Sequence, residues 1–334
     1  MPDVRRREFI TLLGGLVAVC PLAARAQQSE RVRRIGALMP FTADDAEAKA
    51  IVAALRRGLQ ELGWTDGGNI RVEYRWGERN VERTRAYAAE LVGLSPDLIF
   101  AFFNAQLGPL SRETRTIPIV FVGASDPVGA GYVASIVRPG GNITGFTLYE
   151  PSFAGKWLQV LKEVAPAVVR VGIMVNPDTA ILRGTFYLRE FETAAAALKI
   201  EPITAKVHST SDVEAAVMVL GRKPHSGLIV APDTFTLTHA ELIVTLAARH
   251  RLPAVYGFRQ SATSGGLISY GPDTLHTVQR SASYIDRILK GEKPADLPVQ
   301  APTKYELVIN LKTARALGIE MPPTLLARAD EVIE

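Results

Sequence analysis

Residues 117–176 read IPIVFVGASDPVGAGYVASIVRPGGNITGFTLYEPSFAGKWLQVLKEVAPAVVRVGIMVN. An apolar run, Ile117–Val122, opens the stretch and a second, Val171–Val175, closes it. Between them Trp157, Leu161 and Val164 fall on one helical stripe, which Pro166 ends because it cannot supply a helical N–H. Continuous apolar strands joined by amphipathic helices indicate parallel sheet covered on both faces. The segment from Asp126 to Gly145 separates two such patterns. It is rich in Gly (Gly129, Gly131, Gly140, Gly141) and low in charge. Glycine lets a backbone turn sharply or approach a ligand closely. The spacing of a phosphate loop, GxxxxGK[ST], is absent from it. The stretch reads either as a loop beside a ligand cleft or as a long connection within one domain.

The same alternation extends in both directions. On the N-terminal side lie the apolar runs Ile35–Met39, Ile70–Tyr74 and Leu98–Phe103, with helical stripes at Ile51, Leu55, Leu59 and Leu62, and at Tyr87 and Leu91. On the C-terminal side lie Ile203–Val207, Leu228–Ala231 and Ala254–Phe258, with helices expected about 153–164, 183–198, 211–220 and 237–249. Two consecutive βα arrays of similar length predict an α/β protein of two Rossmann-like, doubly wound lobes with parallel sheets. Beyond them come a strand at Leu267–Tyr270, a helix marked by Val278, Ala282, Ile285 and Leu289, a Pro-rich connector from Lys293 to Thr303, and a strand at Leu307–Leu311. A chain that leaves the first lobe, builds the second and then returns crosses between them several times, with crossings expected near 145–150, 262–267 and 293–304. Two independent domains in tandem fit the late strand and helix poorly, because neither section alone makes a compact domain. The first lobe then takes 33–145 with 267–293, and the second takes 146–264 with 304–334.

The N-terminus sets the compartment. Arg5, Arg6 and Arg7 precede an uncharged run of 14 residues, Thr11 to Ala24, which ends in Ala24-Arg25-Ala26. A charged head, a short apolar middle and a small-x-small site make a secretory signal over 1–26, cleaved near Ala26, and predict a periplasmic protein. Spanning a bilayer takes about 20 apolar residues, so an anchor is the weaker reading. The arginine pair with Phe9 resembles a twin-arginine (Tat) signal, although Arg5 stands where Ser or Thr is usual; Tat and Sec export both stay open. Four of the 38 basic and two of the 34 acidic side chains lie in that segment, which leaves a net charge of +2 on the remainder. With no basic stripe interleaved with aromatics, nucleic acid is not an expected partner. The single cysteine, Cys20, also falls within the signal, so no disulfide or thiolate metal site is expected.

In open parallel sheets ligands bind beyond the carboxyl ends of the strands. Those ends carry Pro40 and Phe41; Phe103, Asn104, Ala105 and Gln106; Ser125 and Asp126; Asn176; Asp233 and Phe235; and Tyr256 and Phe258. The polar groups and the helix N-termini that follow suit an anion such as a carboxylate, and the aromatics supply apolar walls. Each polar residue has a second reading as a turn or helix cap. No catalytic constellation stands out: the chain has no GxSxG elbow, and His239-Ala240-Glu241 lacks the second His of HExxH spacing. An enzyme is therefore not expected, and neither a cofactor nor a metal is called for.

Five stretches, DPVGAGYVASIVRPGGNITG (126–145), LAARHRLPAVYGF (246–258), SGGLISYGPD (264–273), YIDRILKGEKPADLPVQAPTKYELVINLKTARALGI (284–319) and LLARADEVIE (325–334), make the chain resemble the TrpX-like ABC-type substrate-binding proteins from about residue 33 onward. The resemblance implies the periplasmic binding protein type I fold, three crossovers, a monomer, a small-molecule ligand of the amino-acid or organic-acid kind, and delivery to an ABC permease complex, which is its only link to a membrane. A ligand sensor partnering a membrane receptor, and a secreted enzyme, would use the same scaffold. The family's small polar loop after the third strand is bulkier here, Phe102-Phe103-Asn104-Ala105-Gln106. Its Asp-Pro-Phe-Phe is Asp233-Thr234-Phe235-Thr236, and its Arg-Glu-Phe region is Phe258-Arg259-Gln260-Ser261. These departures bear on which ligand is taken.

Overall fold

The computed structural model describes residues 31–78 and 80–334; the expected export signal lies outside the described residues. Two sheets form. The first is all parallel, in the order β2-β1-β3-β4-β5, from β1 (Arg33–Met39), β2 (Ile70–Trp76), β3 (Leu98–Phe102), β4 (Ile119–Val122) and β5 (Ile143–Phe146). Helices α1 (Ala46–Glu61), α2 (Val81–Gly93) and α3 (Asn104–Glu113) make its crossovers. Strands β3 and β4 are buried along their whole length, which is why they read as unbroken apolar runs.

The second sheet has the order β12-β11-β10-β9-β8-β6-β7. Its strands are β6 (Arg170–Val175), β7 (Glu201–Lys206), β8 (Ser226–Val230), β9 (Ala254–Tyr256), β10 (Ile268–Pro272), β11 (Tyr305–Asn310) and β12 (Glu331–Ile333). All its pairings are parallel except β10 with β11. Helix α4 (Phe153–Val164) buries the Trp157, Leu161 and Val164 stripe read from the sequence. It is followed by α5 (Thr185–Ala197), α6 (Thr210–Gly221), α7 (Thr234–Thr238), α8 (Ala240–Arg249), α9 (Arg259–Thr263), α10 (Thr274–Leu289), α11 (Leu311–Leu317) and α12 (Pro323–Leu326).

The second passage between sheets lies later than the expected 262–267. Strand β10 pairs with β9 on one side and β11 on the other, so it belongs to the second sheet, and the chain leaves that sheet only at Pro272–Thr274. Helix α10 then packs against α1 of the first lobe, where Trp64 Nε1 donates to Asp286 Oδ1 at 2.9 Å. The Pro-rich connector keeps to the first lobe as far as Gln300, which is bridged to Phe146, before β11 returns to the second sheet. The Gly-rich 126–145 stretch is a run of turns that ends by entering β5, an edge strand not foreseen from composition. No helix among the described residues is long and apolar enough to cross a membrane.

Candidate ligand-binding cleft

The carboxyl ends of both sheets open onto one gap. An inner chamber of about 50 Å³ is lined by Phe103, Asn104 and Ser125 from the first lobe, Tyr149 from the first passage, and Thr179, Asp233 and Phe258 from the second lobe. An outer chamber of about 910 Å³ shares Phe103, Tyr149 and Phe258 with it, and adds Phe41, Glu47 and His276 from the first lobe, Arg259 from the second, and Asp273 and Lys304 from the later passages.

Hydrogen bonds from the loops themselves hold this wall. Asn104 Nδ2 donates to the Ser125 carbonyl at 3.1 Å, and its Oδ1 accepts from Ser125 N–H at 2.8 Å, which ties the start of α3 to the end of β4. Asp233 caps α7 by accepting from Thr236 N–H at 2.8 Å, and it also accepts from Thr179 Oγ1 at 3.0 Å and Asn176 N–H at 3.2 Å. One carboxylate therefore joins the ends of β6 and β8. Burial pushes its pKa above the ordinary value, against the pull of those donors. Tyr149 donates its hydroxyl to the Gly257 carbonyl at 2.7 Å, and burial raises that hydroxyl far above the usual tyrosine range. Its ring meets Phe258 edge-on, with centroids 5.9 Å apart.

The outer chamber is charged. Lys304 pairs with Asp273 at 2.8 Å, joining the second passage to the third. Arg259 pairs with Glu331. Burial raises the pKa of Glu47, with Asp45 adding to the effect and Arg259 opposing it. Several helix starts line the gap. Of these, α3 has Phe103 at its N-cap position and no side-chain cap, so its first-turn N–H groups have no capping side chain where Asn104 and Ala105 line the inner chamber.

Of the residues singled out from the sequence, the structure gathers Phe103, Asn104, Ala105, Ser125, Asp233 and Phe258 around the inner chamber and Phe41 in the outer one. It does not bring the others there. Pro40 is buried beneath the end of β1. Gln106 is buried in α3, with an Oε1 that has no hydrogen-bond partner among the described residues. Asp126, at φ 46°, turns into a separate groove beside Val128 and Ile136 and accepts from Gly129 N–H at 2.9 Å. Asn176 is buried, and its side chain accepts from Asp178 N–H at 2.7 Å. Phe235 packs on His239, ring centroids 4.1 Å apart. Tyr256 lies in the core of the second lobe. Tyr256 and Phe258 part company because β9 stops at Tyr256, so the alternation of a strand no longer applies two residues on.

Tyr149, Thr179 and Glu47 escaped the sequence reading. Thr179 lies three residues past Asn176 and was within reach of a longer look at that strand end, whereas Tyr149 reaches the cleft only because the chain changes lobes there. Among the described residues no three His, Cys, Asp or Glu side chains cluster as metal ligands.

Comparison with known proteins bears on the fold and the family. A tyrosine-binding protein of Clostridioides difficile (strain R20291) is 25% identical over 264 residues, 79% of this chain and 75% of that one. The crystal structure of a conserved domain protein from Vibrio cholerae superposes with a TM-score of 0.82 at 26% identity, covering 90% of this chain and 100% of that one. An ABC domain from Streptococcus pneumoniae in complex with L-Trp also gives a TM-score of 0.82, at 25% identity and with 90% and 99% covered. The fold is that of the type I periplasmic binding proteins. The model of the family described as ABC transporter substrate binding protein matches residues 37–333, and with the strand ends of both sheets turned onto one gap, the chain belongs to that family.

Proposed function

We propose that this protein captures a small amino-acid- or organic-acid-like solute in the interlobe cleft, closes on it by hinge motion about the three passages, and presents it to a membrane permease outside the cytoplasmic membrane. One observation carries this reading. Backbone and side-chain polar groups from the ends of β3, β4, β6 and β8 converge with aromatic walls on one cleft between the two lobes, in which a small chamber adjoins a larger one. The uncapped start of α3 suits a ligand carboxylate, because the positive end of the helix dipole and its first-turn N–H groups point the same way. Relatives named for binding tyrosine or crystallised with L-Trp support an amino-acid-like ligand.

Closure follows from differential contact. A ligand that touches both lobes favours the arrangement in which both can reach it, and so shifts the population toward the closed form. The protein is expected to act as a monomer, since one chain supplies both walls of the chamber. Native mass spectrometry of the purified protein identifies what co-purifies, and a thermal-shift screen of amino and organic acids ranks candidates, because binding to the native form alone raises its melting temperature. Small-angle scattering then measures closure. The radius of gyration is expected to fall when a saturating ligand is added. An unchanged radius at saturation would reject the hinge, and chemical turnover of the ligand would reject the binding role in favour of an enzyme.

A further inference from the structure

Phe103 holds a backbone conformation, φ 69° and ψ 167°, that is close to glycine-only and persists where the surroundings overdetermine it. Those surroundings are visible. Its N–H donates to the Val122 carbonyl at 2.8 Å, completing the ladder beyond β3, and its carbonyl accepts from Leu107 N–H at 3.1 Å, starting α3. The ring is held as firmly as the backbone. It lies against Gly123, where a Cβ would sit 2.5 Å from the ring's Cδ1; Gly123 itself has φ +86°. The centroid of Phe102 is 4.3 Å away on another side, and the edge contact with Phe258 of the opposite lobe spans 6.3 Å.

The ring is therefore a wall common to the two chambers. The inner chamber, at about 50 Å³, has room for a water or two, whereas pockets for whole small molecules run to about 300 Å³ or more. Opening the lobes carries Phe258 away with the second lobe. Phe103 stays with the first, pinned by Gly123 and by the two backbone bonds. A residue without a side chain would sit here unstrained, so the ring is kept against a conformational preference, at a point where it faces the ligand space.

We infer that Phe103 is the specificity-determining residue of the cleft, a fixed wall that restricts the inner chamber to ligands with short side chains and excludes ring-sized ones. This rests on the solute-binding reading. F103G installs the residue that the backbone conformation suits, and F103A removes the ring while keeping a Cβ, so the test survives if one variant fails to fold. L-tryptophan and L-tyrosine serve as ring-sized probes in isothermal titration calorimetry, beside L-alanine, L-serine and succinate as short ones. Both variants are expected to bind L-tryptophan or L-tyrosine at least about tenfold more tightly than the wild type, the scale on which a pocket discriminates by size. Wild-type binding of either ring-sized probe as tight as that of the variants, or no gain in either variant, would overturn the wall. If the wild type still binds a short probe or a co-purified solute in that case, only the role of Phe103 falls. A wild type that carries no solute and binds none of the five probes overturns the solute-binding reading itself, and the wall with it.

Discussion

Gly145 shows how much one missing side chain contributes. A Cβ there would lie 2.1 Å from the Phe121 carbonyl oxygen on the neighbouring strand, closer than any real contact. Strand β5 sits against β4 only because that atom is absent, and β5 is the last strand before the chain first leaves the lobe. Gly145→Ala is expected to cost about 2–3 kcal/mol through overpacking, read as a lower urea midpoint with an unchanged slope. A wild-type midpoint would show that β5 yields without consequence. Asp233 makes the opposite point, since its identity was legible as a cap after β8 while its bonds to Thr179 and Asn176 came only with the fold. Tyr256 and Phe258 were legible as a pair of aromatics, but which of them reaches the cleft depended on where a three-residue strand ended.

Long helices were readable from periodicity, and short strands only where they lay inside a longer apolar run, as β4 and β9 do. Helix α10 announced itself through Val278, Ala282, Ile285 and Leu289, all buried in the structure. Strands β5 and β12, four and three residues long, are too short for a pattern to repeat and carry no longer apolar run to mark them. The start of α10 also carries electrostatics that no pattern shows. Asp273 caps the helix by accepting from His276 N–H at 2.9 Å and pairs with Lys304. Burial works to raise its pKa, but the Lys304 ammonium and the His276 N–H outweigh burial and hold it below the ordinary value. Its folded pKa is lower than its unfolded one, so its contribution is present above about pH 4 and is lost as pH falls through the folded value. Asp273→Ala is expected to cost about 1–2 kcal/mol at neutral pH, from the cap and the ion pair together. Asp273→Asn keeps the cap and loses the charge. Its deficit against wild type should shrink below about pH 4, and a deficit constant across that range in chemical denaturation would show that the pair contributes nothing.

The whole molecule depends on the chain passing three times between lobes. After α10 has completed the first lobe, β11 returns to pair antiparallel with β10 and β12 to pair with β11, covering an edge of the second sheet. A chain ending at residue 300 would leave β10 as an unpaired edge and remove Lys304 from the cleft. It is expected to lose its cooperative melt and elute as aggregate on size exclusion. A sharp transition and a monomeric peak would show that the second lobe stands without its last two strands.

The sequence by itself determined that there are two α/β lobes and that the chain re-enters them late, because hydrophobic periodicity is a local property that each segment carries with it. It also marked most of the strand ends that meet in the cleft, since in parallel sheets those ends share a side. Only the tertiary structure decided that β10 belongs to the second sheet, that Tyr149 becomes a cleft residue, and that Tyr256 and Asp126 do not face the chamber. Those outcomes depend on which strand pairs with which and on where a backbone turns. Both are fixed by contacts between segments far apart in the chain, and no single segment records them.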